Sequence, residues 1–376
     1  MVSEDFLPNV GGISAHVYGL AGALSRRGHV VTVLGGRRTA QPPGLAASDF
    51  EVISLAPVLP GKLRHASFLV GGLSEGLKIL HGRKFDIVHW HGLWSDSLVA
   101  RVLSAYFKST RVFTNHSSMF YRLIKNGLTK ELLRRVVGRP NLCIAPSREL
   151  AALSRHVFPD VPSVYIPNGT DVEAFTRKVS KDAAKRALGL DRAHRVVLAP
   201  RRLEPKNGIE FLIRAIPLIQ TSPKPLFCIV GTGSELQRLQ QLASSLGVSE
   251  HIIFMGSRSR ESMPLVYAAA DVVTIPSLIE ATSVAAIEAL AAGAPIVASD
   301  IGGLRDLLAG ESAALLVPPA NAGALAAAID TVLTNDDMRH VMATAGPRLA
   351  LRYSWNAIAE ATERAYEWAR DQSGAG

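Results

Sequence analysis

Short runs of β-branched and other apolar residues alternate with amphipathic helical segments along nearly the whole chain, and this alternation constrains the fold more than any other feature. HVVTVLGG, FEVISL, FDIVHWHG, RVFTNHSS, NLCIAPS and SVYIPNG read as strands in the first half. RVVLAPRRL, PLFCIVGTG, HIIFMG, DVVTIPS and PIVAS read as strands in the second. Strands separated by helices imply parallel sheets covered on both faces, because a crossover helix is needed to return each strand in the same direction. Two such series in 376 residues imply two doubly wound domains of similar size, joined near Asn168 to Phe175, with a cleft between them. The first series opens unusually: only Met1 and Val2 precede the polar SED, so the first strand is short or the start is truncated.

In doubly wound sheets, ligands bind beyond the carboxyl ends of the strands. That rule selects His91 after FDIVHW and His116 after RVFTN, each of which could equally be a structural histidine. It also selects Gly11 and Gly12, a pair preceding the helix ISAHVYGLAGALSRRG, where backbone can approach a ligand or simply turn. In the second series it selects Arg202 and Lys206, two cations four positions apart, suited to a diphosphate or to solvent. GTGS at Gly231 to Ser234 is a fragment of a dinucleotide fingerprint, in mid-domain and without the full glycine pattern.

The stretch PSLIEATSVAAIEALAAGAPIVASDIGG places Glu280 and Glu288 eight positions apart around a helix start. Thr282 or Ser283 is the expected N-cap, Val284 to Ala292 the helix, and Gly293 with Pro295 its stop. A helix start favours an anion, and carboxylates do not bind phosphate, so the glutamates would serve hydroxyl groups on either side of it. If most of the eight residues are helical they span roughly 12 Å, the scale of a nucleotide sugar. Two solvated surface glutamates are the simpler alternative for the motif taken alone.

Charge and composition narrow the partners. Residues 1–170 carry 20 Lys+Arg against 10 Asp+Glu, and the remainder 21 against 22. The basic half suggests an anionic acceptor or membrane surface, and no finger, zipper or RNP-type pattern supports nucleic acid. Residues 121–139 place Arg122, Lys125, Lys130, Arg134, Arg135 and Arg139 among Leu and Val at helical spacing, either a solvated face or a surface for a membrane or anionic acceptor. No apolar run is long enough to span a membrane and no signal peptide is apparent, so a cytoplasmic protein is expected. Cys143 and Cys228 sit far apart in apolar runs and read as buried free thiols.

Taken in order, PNVGGISAHVYGLAGALSRRGHVVTV, FDIVHWHG, YIPNGTDVEAF, RRLEPKNGIEFLIRAI, IVGTGSELQRL and the glutamate stretch resemble the retaining glycosyltransferases of family 4. The resemblance implies the GT-B fold: two Rossmann-like domains facing across a cleft, an acceptor domain at 1–170, a donor domain at 171–350, and helices at 351–376 crossing back to the first domain. It implies transfer of a sugar from a nucleoside-diphosphate sugar, UDP ahead of GDP, to a hydroxyl acceptor that is lipid-linked, a glycan or a small molecule. It further implies that Arg202 and Lys206 meet the donor diphosphate and that Glu280 meets the transferred sugar. Thr282 and the backbone of Ser283 and Val284 would hold the distal phosphate, and Glu288 the ribose. Gly231 belongs with the donor site, and Gly12 approaches the phosphate from the first domain. His116 would face the sugar, and Gly11, His91 and His116 would line the acceptor side. No cofactor or metal is expected, since these cations and the helix start replace one, and the chain has no Asp-x-Asp. Ala281, Thr282 and Ser283 depart from the commoner Gly-Phe-Gly, and Lys206, Asn207, Gly208 split the usual Lys-Gly. A nucleotide-sugar 2-epimerase and a non-catalytic partner subunit of the same fold are the alternatives.

Overall fold

The computed structural model describes residues 1–6, 12–35, 50–55, 63–116, 120–176 and 179–374. It divides into two compact units, Met1–Gly169 with Trp355–Gly376, and Thr170–Ser354.

In the first unit the strands are β1 (Val2–Ser3), β2 (Thr32–Gly35), β3 (Glu51–Ser54), β4 (Ile87–Trp90), β5 (Thr110–Thr114), β6 (Leu142–Ala145) and β7 (Ser163–Tyr165). They form one sheet in the order β3-β2-β1-β4-β5-β6-β7. Every pairing is parallel, and the order reverses at β1, where Val2 pairs with both Leu34 and Trp90. The helices are α1 (Gly12–Arg26), α2 (Arg64–Leu80), α3 (Ser95–Phe107), α4 (Phe120–Leu123), α5 (Gly127–Val137) and α6 (Arg148–Val157). Strands β2, β4, β5 and β6 are almost wholly buried, which is why their sequences are continuous apolar runs rather than alternating ones. The basic stretch forms two helices: α4 ends at Leu123, and Asn126 caps α5 by accepting from the Leu128 amide at 2.9 Å. An Asn side chain competes for backbone donors, so it starts a helix more readily than it continues one.

The second unit contains β8 (Val196–Pro200), β9 (Leu226–Val230), β10 (Ile252–Gly256), β11 (Val272–Ile275), β12 (Ile296–Ser299) and β13 (Ala314–Val317), all parallel in the order β10-β9-β8-β11-β12-β13. Its helices are α7 (Val172–Thr176), α8 (Lys181–Ala187), α9 (Ile209–Ala215), α10 (Leu236–Ser245), α11 (Met263–Ala268), α12 (Val284–Ala291), α13 (Gly302–Leu308), α14 (Ala322–Thr334) and α15 (Asp336–Ala350). Two apolar layers sandwich this sheet, one gathering Val273, Ile275, Ile287 and Leu290, the other Val197, Phe227, Leu212 and Ile329. At β8 the order reverses, with β9 on one side and β11 on the other.

The last helix, α16 (Trp355–Gly374), belongs to the first unit. It covers α1, with Ile358 and Ala359 in a cluster with Leu20 and Leu24, and Glu363 paired with Arg27 at 2.6 Å. Its first residue seats an indole against two glycines: a Cβ on Gly19 or Gly169 would lie 2.1 Å or 2.6 Å from the Trp355 ring. Both cysteines are buried and free.

Candidate functional site

In the second unit, the reversal at β8 leaves a crevice beyond the carboxyl ends of β8 and β11, and the selected residues converge on those two loops. After β8 the chain runs through Arg201 and Arg202 into a 3-10 turn, Pro205–Asn207. Gly208 follows at φ 66°, with its Cα so close to β11's loop that a Cβ would stand 1.9 Å from the Pro276 carbonyl oxygen. The Leu278 amide donates to the Lys206 carbonyl at 2.8 Å, so the two loops are locked together. Arg202 and Lys206 are exposed along this edge.

Arg201 is the cation that touches a glutamate. Its guanidinium donates to the Glu280 carboxylate and to Asn207 Oδ1, the latter at 2.9 Å, while Asn207 Nδ2 donates to the Arg202 carbonyl at 2.7 Å. Sequence reasoning chose Arg202 and missed Arg201, because which of two adjacent arginines faces inward after a strand is fixed by loop geometry. Asn207, noted only as splitting the usual Lys-Gly, is buried and supplies the brace.

The glutamate stretch folds around the α12 start. Ser283, not Thr282, is the N-cap, accepting from the Ala286 amide at 3.3 Å. The helix therefore begins at Val284, and the span between the glutamates is half loop, half first helical turn rather than mostly helical. The loop half is held by Gly303, whose amide donates to the Glu280 carbonyl at 3.1 Å and whose Cβ would meet the Ala281 carbonyl oxygen at 2.2 Å. Thr282 Oγ1, Ser277 Oγ and Arg201 Nε are buried polar atoms with no hydrogen-bonding partner among the described residues. Each such atom calls for a partner beyond the chain's own groups, a water, an ion or a ligand. At the other glutamate, Tyr267 donates its hydroxyl to Glu288 Oε2 at 2.9 Å. Burial raises the Glu288 carboxyl to about 7, against the opposing hydrogen bond from Tyr267 and the charge of Arg260. Tyr267 lies on α11, and nothing in the local sequence pattern announced it. Gly231, at φ 147°, stands where a Cβ would strike the Arg201 carbonyl oxygen at 2.2 Å, and Ser234 Oγ donates to Glu204 at 2.8 Å. GTGS thus packs against the arginine loop.

In the first unit, His91 and His116 follow β4 and β5, and His91 Nδ1 lies 3.1 Å from His116 Nε2. A third imidazole, His16 on α1, stacks edge-on against His116 with ring centroids 4.6 Å apart. It was not selected from sequence, where it looked like a polar residue on an amphipathic helix, yet it is buried. Burial holds His16 down at about 4 and His91 and His116 well below the usual histidine range, so all three are neutral. His89 differs: both its nitrogens are bonded, to Tyr366 at 2.7 Å and Thr114 at 2.6 Å, and its role is structural. Gly12 begins α1, and a Cβ there would meet nothing within 4 Å. Gly11 lies outside the described residues.

Residues 180–349 match the family model "Glycosyl transferases group 1", and residues 10–174 match "Glycosyltransferase Family 4". The chain is 30% identical over 371 residues to the phosphatidyl-myo-inositol mannosyltransferase of Mycobacterium tuberculosis, covering 95% of this chain and 93% of that protein. Among solved structures, sucrose-phosphate synthase from Thermosynechococcus elongatus superposes with a TM-score of 0.81 at 24% identity, over 98% of this chain and 97% of that one. Anabaena HepE in complex with UDP and glucose superposes with a TM-score of 0.78 at 21% identity, over 97% and 98%.

Proposed function

Since the chain belongs to the group 1, family 4 glycosyltransferases and has their GT-B fold, we propose that it is a retaining, metal-independent hexosyltransferase that moves a sugar from a nucleoside-diphosphate sugar to a hydroxyl acceptor. The observation that carries this reading is the junction of two loops at β8 and β11, where Arg201, Glu280 and the capped start of α12 lie together. The positive end of α12 and the exposed Arg202 and Lys206 supply the charge that a departing diphosphate needs, which leaves no electrostatic task for a metal. Glu280, oriented by Arg201, accepts from hydroxyls of the transferred sugar. Glu288 accepts from the ribose. Retention follows from front-face displacement, in which the leaving phosphate takes the acceptor proton and no protein nucleophile is used.

UDP is the nucleotide of choice by analogy with the UDP-bound HepE structure. An anionic or lipid-linked acceptor is favoured by the excess of basic residues in 1–170 and by a relative named a phosphatidyl-myo-inositol mannosyltransferase. Such an acceptor places the protein peripherally at the inner face of a membrane. No helix among the described residues is long and apolar enough to cross one. Incubation with radiolabelled UDP- and GDP-sugars, with and without chelator, tests the reading. Transfer or slow donor hydrolysis that survives the chelator, with the product keeping the donor's anomeric configuration, is the expected result. Epimerisation of the sugar, or no turnover with any donor, would reject it.

A further inference from the structure

His16, His91 and His116 form a group of a kind the proposed transfer does not require. One ring nitrogen from each can be chosen so that all three lie within 4.8 Å of one another. His91 Nδ1 and His116 Nε2 are separated by 3.1 Å, close to the roughly 3.3 Å between two nitrogens bound to one zinc ion at about 2.0–2.1 Å in tetrahedral geometry. His16 Nδ1 makes no hydrogen bond of good geometry, with the Asn168 side chain its nearest polar neighbour, and His91 Nε2, on the ring edge away from His116, is likewise buried without a partner among the described residues. The three imidazoles come from separate elements whose backbones are fixed. The His91 amide donates to the Val2 carbonyl at 3.2 Å, the Asn115 amide beside His116 donates to Ile144 at 2.9 Å, and the Trp355 ring packs edge-on against His16 at 5.6 Å. Three neutral imidazoles brought this close are the ligand set of a three-histidine zinc centre with one open position.

We propose that His16, His91 and His116 bind a borderline divalent transition ion of the zinc class. Entry of the ion replaces the hydrogen bond between His91 and His116: the proton on the shared edge moves by tautomeric exchange to the far nitrogen of its own ring, so both imidazoles stay neutral and no net proton is released. Imidazole ligands select zinc, cobalt, nickel and copper over magnesium or calcium. This binding is independent of the transferase reading.

The test uses the full chain stripped by chelator and titrated with Co²⁺, whose tetrahedral complexes absorb strongly in the visible. One equivalent should produce those bands, and Zn²⁺ should abolish them by displacement. His16→Ala, and His91→Gln as a variant that keeps a polar group of similar size, should each weaken Co²⁺ binding at least about 100-fold, as loss of a direct ligand exceeds the 10–100-fold cost of losing a supporting partner. His340→Ala, which removes an exposed histidine elsewhere, should leave the titration unchanged. Circular dichroism identifies any variant that fails to fold, and the wild-type titration decides without it. Absence of tetrahedral bands in the wild type, or bands unaltered in both folded variants, overturns the site.

Discussion

The Arg201 guanidinium donates to the Glu280 carboxylate across 79 positions of sequence, because β8 and β11 are hydrogen-bonded neighbours and both chains turn at the same sheet edge. Both side chains are mostly withdrawn from water, at 12% and 16% exposure. The pair sets the direction of the carboxylate before any ligand arrives, which is the preorganisation that electrostatic catalysis depends on.

Three substitutions test that assignment by steady-state transfer kinetics. Glu280→Ala and Lys206→Ala should each lower kcat at least about 100-fold, the scale of removing one stabiliser of developing charge. Arg201→Ala should also cost about 1–3 kcal/mol of stability, because it leaves a half-buried carboxylate without its donor. Since Arg201 acts through Glu280, the double variant should be no worse in kcat than Glu280→Ala alone. Multiplicative losses would mean that Arg201 meets the substrate independently, and unchanged turnover in Glu280→Ala would remove that residue from the site.

The Glu288 carboxyl titrates near 7 instead of its ordinary 4.5, and the sign of the consequence is fixed. Between those values the folded protein holds a proton that the unfolded chain has lost, so stability falls as pH rises from about 4.5 through 7 and stays lower above. Glu288→Gln should therefore melt with the wild type at pH 5 and above it at pH 8. Nucleotide affinity should move oppositely, tightening as pH passes 7 because the ionised carboxylate is the better acceptor for ribose hydroxyls. Calorimetry from pH 6 to 8 reads this directly; a flat affinity profile in the wild type would detach Glu288 from the nucleotide.

Gly208 offers a test of the loop lock. Alanine there must adopt a positive φ and place a methyl 1.9 Å from the Pro276 carbonyl oxygen. The conformation alone costs roughly 1–2 kcal/mol, and the contact forces the two loops apart. Thermal unfolding should show at least that loss, and donor KM should rise. Wild-type stability with wild-type KM would show that the loops are not rigidly coupled.

The strand–helix alternation made the two parallel sheets legible, because strands buried on both faces must be written as apolar runs such as VVLAP and VVTI. An N-cap at Thr282 or Ser283 and the Gly293 stop were legible for a similarly local reason, since both are solutions to unpaired backbone groups within one turn, and the structure selects Ser283. Tyr267, Arg201 and His16 were not. Tyr267 reaches Glu288 from another helix, 21 positions away, and His16 becomes meaningful only when β4 and β5 bring two more imidazoles to it. The inward turn of Arg201 is decided by the Asn207 brace, a contact six residues on that no periodicity encodes. The break at Asn126 is a local signal too, an N-cap side chain before the helix that carries most of the cations.

That break gives the basic stretch its surface. On α5, Leu133 and Val137 are fully buried, which turns Leu128 and Leu132, one helical turn apart, outward at 83% and 48% exposure. Lys125, Arg134, Arg135 and Arg139 are exposed around them, and Glu131 is the single acid, paired with Arg135 at 3.1 Å. Two exposed leucines ringed by cations suit an anionic lipid surface, since the leucines can enter the headgroup boundary while the cations meet lipid phosphates. Sedimentation with vesicles containing phosphatidylglycerol should show binding at low salt that fades as ionic strength shortens the screening length from about 10 Å at 0.1 M toward 3 Å at 1 M. Arg134→Ser with Arg135→Ser should weaken binding about 30-fold, at roughly 1 kcal/mol per cation. Leu128→Glu should weaken it too, and by a part that salt does not mimic, because it removes apolar insertion as well as adding repulsion. Equal binding to neutral vesicles, or no binding to anionic ones at low salt, would assign the face to solvent.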